Sequence, residues 1–293
     1  MKKAQNIIVV IVLLLSIKAI SQEETNITLF RYHMNLFNPA YVGINDETLL
    51  TSTLRRQWTG VPDAPSTQTV SFGMPVGKNL GIGVSVLNEQ TFIEKQNTVA
   101  IDFSYKVQMN QNTDLYFGLK AGGNFYDVNL SGLETYNIMM DNSLTNISSF
   151  NPNIGVGAVL RNEKWFVSVA VPRLLNTTKA RNEMGFATIA TDRPHFYVSG
   201  GYDFELSDSF TLKPSTMVRY VNAAPISIDL NTMLSFENKF EIGATYRTDQ
   251  AYAAISTITI SKHFMFGFVY EMSTRASLAR ARNTNEILLR FKF

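Results

Sequence analysis

Beyond Ser21 the side chains alternate with a period of two almost everywhere, and a chain with that pattern builds extended strands rather than helices. Ile226, Ile228, Leu230, Thr232, Leu234 and Phe236 fall on one face, while Ser227, Asp229, Asn231, Ser235 and Glu237 fall on the other, with Met233 the exception. Phe240, Ile242, Ala244 and Tyr246 repeat this against Glu241, Gly243, Thr245 and Arg247, as do Val99, Ile101, Phe103 and Tyr105 against Ala100, Asp102, Ser104 and Lys106. Charges and glycines share a face. A soluble sandwich turns that face to water, whereas a membrane barrel turns it inward to a lumen. Alternation alone does not separate the two.

Three observations favour the barrel. Alternating segments can be written about fourteen times between residues 47 and 293, an even number, and many have the ~9 to 11 residues that a tilted strand needs to cross a bilayer. Several end in aromatics (Trp58, Trp165, Tyr202, Tyr220, Tyr246, Tyr270), as interfacial girdles require. Loop length also follows parity. If the first strand rises from the periplasm, the periplasmic turns are Pro75–Asn79, Gln108–Asp114, Arg161–Lys164, Glu205–Ser209, Glu237–Lys239 and Ser261–His263, all short. The long connections, Asn88–Asn97, Phe125–Pro152, Pro172–His195 and Ser273–Asn285, then all fall outside. Finally, Ile287, Leu289, Phe291 and Phe293 face one way in the last segment, and this aromatic-ended strand resembles the recognition signal for outer-membrane barrel insertion.

Composition agrees. Only 17% of the 293 residues are charged, against roughly a quarter in soluble domains, yet no long apolar span follows the first twenty or so residues. With 26 Lys+Arg against 24 Asp+Glu, the charge balance argues against nucleic acid as a partner. The chain has no cysteine, so disulfides and thiolate metal sites do not arise.

Met1–Ser21 reads as a secretory signal, with Lys2 and Lys3 ahead of an apolar Ile7–Ile17 and small residues before Gln22. Residues 22–46 lack alternation but carry Tyr32, His33, Met34, Leu36, Phe37 and Tyr41, too apolar a set to hang free in the periplasm. They are expected to fold into the periplasmic mouth of the barrel as a partial plug, leaving residues 47–293 as the barrel itself.

The spaced set Asn38-Pro39-Ala40-Tyr41-Val42-Gly43, then Arg56-Gln57-Trp58 followed by Pro62, Ser66 and Thr67, resembles the opening signature of the PorP/SprF family, outer-membrane proteins of type IX secretion and gliding in Bacteroidetes. The resemblance implies an all-β transmembrane antiparallel barrel, FadL-like in outline, in the outer membrane. It also implies a non-enzymatic role in secretion or surface attachment of large adhesins, with those proteins and other type IX components as partners. The same outline permits another class of function, a transporter of hydrophobic small molecules.

No chemistry competes with that reading. His33, His195 and His263 lie in separate regions with no metal-ligand spacing, and no G-x-S-x-G, phosphate-loop or dinucleotide motif occurs, so no catalytic residue, cofactor or metal is expected. Gly81-Ile82-Gly83 and Gly155-Val156-Gly157 read as small lumen-facing residues inside strands. One of Arg55 and Arg56 is expected to pair with a lumen carboxylate such as Asp102 or Asp229, with Trp58 as an interfacial anchor. Ile138, Met139 and Met140, in a long outer loop, are the candidate contact for a partner protein.

Overall fold

The computed structural model describes residues 26–129, 146–178, 191–222, 224–248, 251–274 and 283–293. The proposed signal segment and Ile138, Met139 and Met140 lie outside them. The barrel strands are β1 (Leu49–Arg56), β2 (Ser66–Val76), β3 (Leu80–Thr91), β4 (Glu94–Asn110), β5 (Thr113–Val128), β6 (Ile147–Asn162) and β7 (Trp165–Val171). They continue as β8 (His195–Tyr202), β9 (Phe210–Val221), β10 (Ser227–Phe236), β11 (Phe240–Arg247), β12 (Ala251–Thr259), β13 (Phe264–Ser273) and β14 (Thr284–Lys292). Each pairs antiparallel with its sequence neighbour, and β1 pairs with β14 from Leu49↔Lys292 to Arg56↔Asn285, so these fourteen strands close on themselves and leave no edge. No helix among the described residues is long and apolar enough to cross a membrane.

Exposure decides between sandwich and membrane barrel. On β10 the apolar Leu230 is 52% exposed while its neighbours Asp229 and Asn231 are 1% and 5% exposed. The same inversion holds on β4 and β5, where Ile101, Phe103 and Leu119 face out and Asp102, Ser104 and Lys120 are buried. A belt of outward apolar side chains around a charged interior suits lipid outside and protein within. Aromatics on adjacent strands mark both rims. Phe210 and Phe236 (ring centroids 5.1 Å apart) sit at the end with short turns, and Tyr246 and Tyr252 (4.8 Å) at the other. Since barrels keep short turns on the periplasmic side, the end carrying the β2–β3 and β10–β11 turns is periplasmic.

Two loop expectations fail. Phe125–Pro152 begins and ends in strand, with β5 and β6 paired from Phe125↔Phe150 to Val128↔Ile147. Asn88–Asn97 is a continued hairpin: β3 and β4 stay in register to Thr91↔Glu94, leaving Phe92 and Ile93 as the turn. The Nδ2 of Asn88 donates to the Oδ1 of Asn97 at 2.6 Å, a polar cross-strand pair that holds the ladder where both faces are polar and the alternation disappears. β4, β5 and β6 thereby reach 17, 16 and 16 residues, beyond the ~9 to 11 that span the bilayer. Their surplus projects on the outer side.

The core lies inside the barrel. Ile27, Leu29, Phe30, Met34 and Phe37 pack on Met217, Met233, Ile255, Val269 and Leu288, and Ala40 and Ile44 on Tyr116 and Val159. The segment is folded as four short 3-10 turns, Phe30–Tyr32, Met34–Leu36, Pro39–Tyr41 and Ile44–Asp46. Asn26 bonds Arg219 near the outer end of β9, and Asp46 lies 3.2 Å from Lys106 near the periplasmic end of β4. The segment therefore runs the length of the lumen rather than stopping at the periplasmic mouth.

Candidate functional site

Inward positions on six strands carry the charges that meet this segment. Thr51, Thr53 and Arg55 are the buried residues of β1, so the period of two sends Arg55 into the lumen and Arg56 outward. The Nη2 of Arg55 lies 2.7 Å from the Oε1 of Glu271, and its Nη1 lies 3.3 Å from the Oε2 of Glu286. Arg247 reaches Asp229 at 2.7 Å and Glu271 at 3.5 Å, and Arg219 reaches Asp229 at 2.6 Å. Arg219, Asp229, Arg247, Glu271, Arg55 and Glu286 thus form a buried chain of alternating sign. Three cations balance three anions, which is what allows so many charges to leave water together.

The peptide segment completes that network. Glu286 accepts the backbone N–H groups of Thr28 at 2.8 Å and Leu29 at 2.9 Å, and the hydroxyl of Thr28 donates to Glu271 at 2.9 Å. Lower down, Tyr32 donates to Glu241, which also pairs with Lys213 at 2.6 Å. His33 lies among hydroxyls, with Nδ1 3.0 Å from Thr53 and Nε2 2.7 Å from Ser71. His195 is buried on β8, and His263 is an exposed turn residue whose Nδ1 meets the carbonyl of Lys292 at 2.8 Å. No group of three His, Cys, Asp or Glu that could hold a metal occurs among the described residues.

The first half of the spaced motif docks the segment. Asn38 caps its 3-10 turn by accepting the N–H of Ala40 at 2.9 Å, and its amide donates to Ser168 at 2.8 Å and to the carbonyls of Ala158 and Val169 at 3.2 Å each. Pro39 sits at the first position of that turn, where a missing N–H costs nothing. Asn38, Ala40 and Val42 lie directly on Gly157, Gly118 and Gly81, at each of which a Cβ would overlap the segment. Gly118 and Gly157 stand opposite one another on β5 and β6, a flat floor that admits backbone. Gly43 then turns with φ +67, a left-handed conformation that suits glycine.

The second half sits elsewhere. Arg56, Gln57, Trp58 and Pro62 belong to the outer β1–β2 hairpin, where the N–H of Gln57 donates to Pro65 at 2.9 Å and Arg56 and Pro62 are exposed. Trp58 is half-buried in the turn with φ +50. Ser66 and Thr67 open β2, and Thr67 points inward opposite Arg55. The structure does not bring the two halves together. It also reassigns the arginine: Arg55 pairs with Glu271 and Glu286, because Asp102 is taken by Lys120 at 2.5 Å and Asp229 by Arg219 and Arg247. Sequence pattern does not single out Glu271 and Glu286, although each is a lone acid at an inward position of an alternating strand.

A family model described as type IX secretion system membrane protein PorP/SprF matches residues 19–291. No curated protein matches the chain. Among solved structures, Omp33 of Acinetobacter baumannii is similar with a TM-score of 0.52 at 10% identity, covering 86% of this chain and 100% of that one. At such identity the likeness is one of fold. The CymD monoaromatic hydrocarbon channel (TM-score 0.49, 12% identity, 88% and 91% covered) and a Pseudomonas aeruginosa FadL homologue (0.49, 10%, 88% and 92%) are further matches.

Proposed function

The chain belongs to the PorP/SprF family of type IX secretion system membrane proteins, and from that premise we infer that it is a non-enzymatic outer-membrane component needed for secretion or cell-surface attachment of large surface proteins such as adhesins. The observation that carries this reading is a lumen filled by the chain's own residues 26–46 and crossed by a balanced ion network. A barrel occupied in this way acts as a scaffold. Its contacts with cargo and with other secretion components are then made by surfaces, foremost the outer loops. Ile138, Met139 and Met140 are the proposed cargo contact, and Met1–Ser21 the proposed cleaved signal.

The hydrophobe-transporter reading requires more room than the apolar cavity among the described residues offers: between Ile27, Phe37, Leu87 and Tyr197 it measures about 80 Å³, against ~300 Å³ where pockets for organic ligands begin. The test shortens the outer loops at 129–146 and 172–194 to tight turns and compares cell-surface and medium proteomes with wild type, alongside uptake of a labelled fatty acid. Loss of one or a few large surface proteins with unchanged uptake supports the secretion role. Unchanged proteomes with reduced uptake overturn it.

A further inference from the structure

Between the N-terminal segment and the barrel wall, at the periplasmic end, lies a cavity of about 200 Å³ lined by Arg31, Asn35, Glu47, Arg161, Asp203 and Arg290, among others. We propose that it is an oxyanion site, taking a carboxylate or phosphate group between the guanidiniums of Arg161 and Arg290.

The charge inventory points there. Elsewhere in the lumen the cations are matched: Arg55, Lys120, Lys213, Arg219 and Arg247 each have a carboxylate within 3.5 Å. Arg161 and Arg290 form no ion pair among the described residues, and the Nε of Arg290 is a buried donor with no hydrogen-bond partner. Two guanidiniums lining one cavity disfavour each other, and their partial burial adds to the cost; Glu47 acts on Arg290 through space but forms no ion pair with it among the described residues. The nearby acids are committed, Asp203 to Arg31 and Glu47 to Lys292 at 2.5 Å. Asp114 stands opposite Arg161 in the β5–β6 register without an ion pair to it among the described residues. Glu163, exposed on the β6–β7 turn, also lines the cavity and disfavours a highly charged visitor.

Recognition follows from geometry. A guanidinium presents a planar fork of N–H donors that suits the oxygens of carboxylate and phosphate, which chloride does not offer. The volume admits one such group with a short tail. Asn162 at the end of β6 and the turn residues Glu163 and Lys164 also line the cavity, so a ligand enters from the periplasm.

The test uses the full mature protein in detergent. Thermal unfolding and titration calorimetry are run with inorganic phosphate, with an N-acetylated dipeptide bearing a free C-terminal carboxylate, with its amidated form, and with sodium chloride at matched ionic strength. Phosphate or the acid dipeptide should raise the unfolding midpoint above chloride; which of them does so identifies the source, and the amide should do nothing. Arg161→Gln and Arg290→Gln should each weaken binding by about tenfold or more. Neither should lower the midpoint in chloride, since each removes one of two like charges. A wild-type midpoint identical in all four solutions overturns the proposal without recourse to variants. So does a doubly substituted protein that still shows the gel mobility of a closed barrel and binds with wild-type affinity.

Discussion

Glu286, on the last strand, accepts the backbone N–H of Thr28 at 2.8 Å, so a carboxylate at one end of the chain fastens a peptide from the other. The same carboxylate balances Arg55 at 3.3 Å and accepts Leu29 at 2.9 Å. Removing it leaves a buried guanidinium with one acid fewer and two N–H groups without an acceptor. Glu286→Ala should therefore cost about 3 to 5 kcal/mol, as broken buried pairs do. Equilibrium urea unfolding in lipid vesicles measures the loss, and protease cleavage within residues 26–46 should accelerate. An unchanged midpoint together with wild-type protease resistance would mean that this contact holds nothing.

The glycine floor makes a second expectation. A methyl group at Gly118 or Gly157 meets the backbone of Ala40 or the side chain of Asn38, so Gly118→Ala and Gly157→Ala should each destabilise by ~1 to 3 kcal/mol through overpacking. Gly200, whose added Cβ would meet one carbonyl at 3.3 Å against 2.0 to 2.1 Å at the other two, is the comparison and should lose clearly less on substitution by Ala. If all three behave alike in the same unfolding assay, the close approach is not what holds the segment.

The outward face has its own signature. Leu230 lies mid-strand on β10 and faces outward, so Leu230→Arg should cost ~2 to 4 kcal/mol in a bilayer, while Phe236→Arg at the strand's periplasmic end should cost only ~0 to 1. Arginine at Asn231 is not a mild change either, because that side chain is buried against a filled lumen. Equal effects at Leu230 and Phe236 would place lipid elsewhere.

Much of the barrel was legible in sequence because period-two alternation fixes which residues face which way. Parity alone sends Asp229, Glu241 and Lys120 inward, and the hairpin partners Asp102↔Lys120 and Asp229↔Arg247 follow from adjacent strands. The partners of Arg55 do not. Its register partner Glu286 comes from the seam where β1 meets β14, and Glu271 from β13 beyond it, contacts that exist only once the barrel closes. The path of residues 26–46 was likewise hidden, since a segment of 3-10 turns has no period to read. Two of its rests, Gly81 and Gly157, read in sequence as no more than small lumen-facing residues, and only the chain lying on them gives them a role. The upper β3–β4 hairpin reads as a loop in sequence because Asn88, Gln90, Lys95 and Asn97 are polar on both strands.

Single-channel recording in planar bilayers tests the account most directly, because a scaffold whose lumen is filled by its own chain should not conduct. Purified wild-type protein, inserted and shown to be folded by its heat-modifiable gel mobility, should give no sustained current. Glu286→Ala, with the segment released, should give openings. Steady ohmic conductance from the wild-type protein would contradict the account and make the barrel a channel.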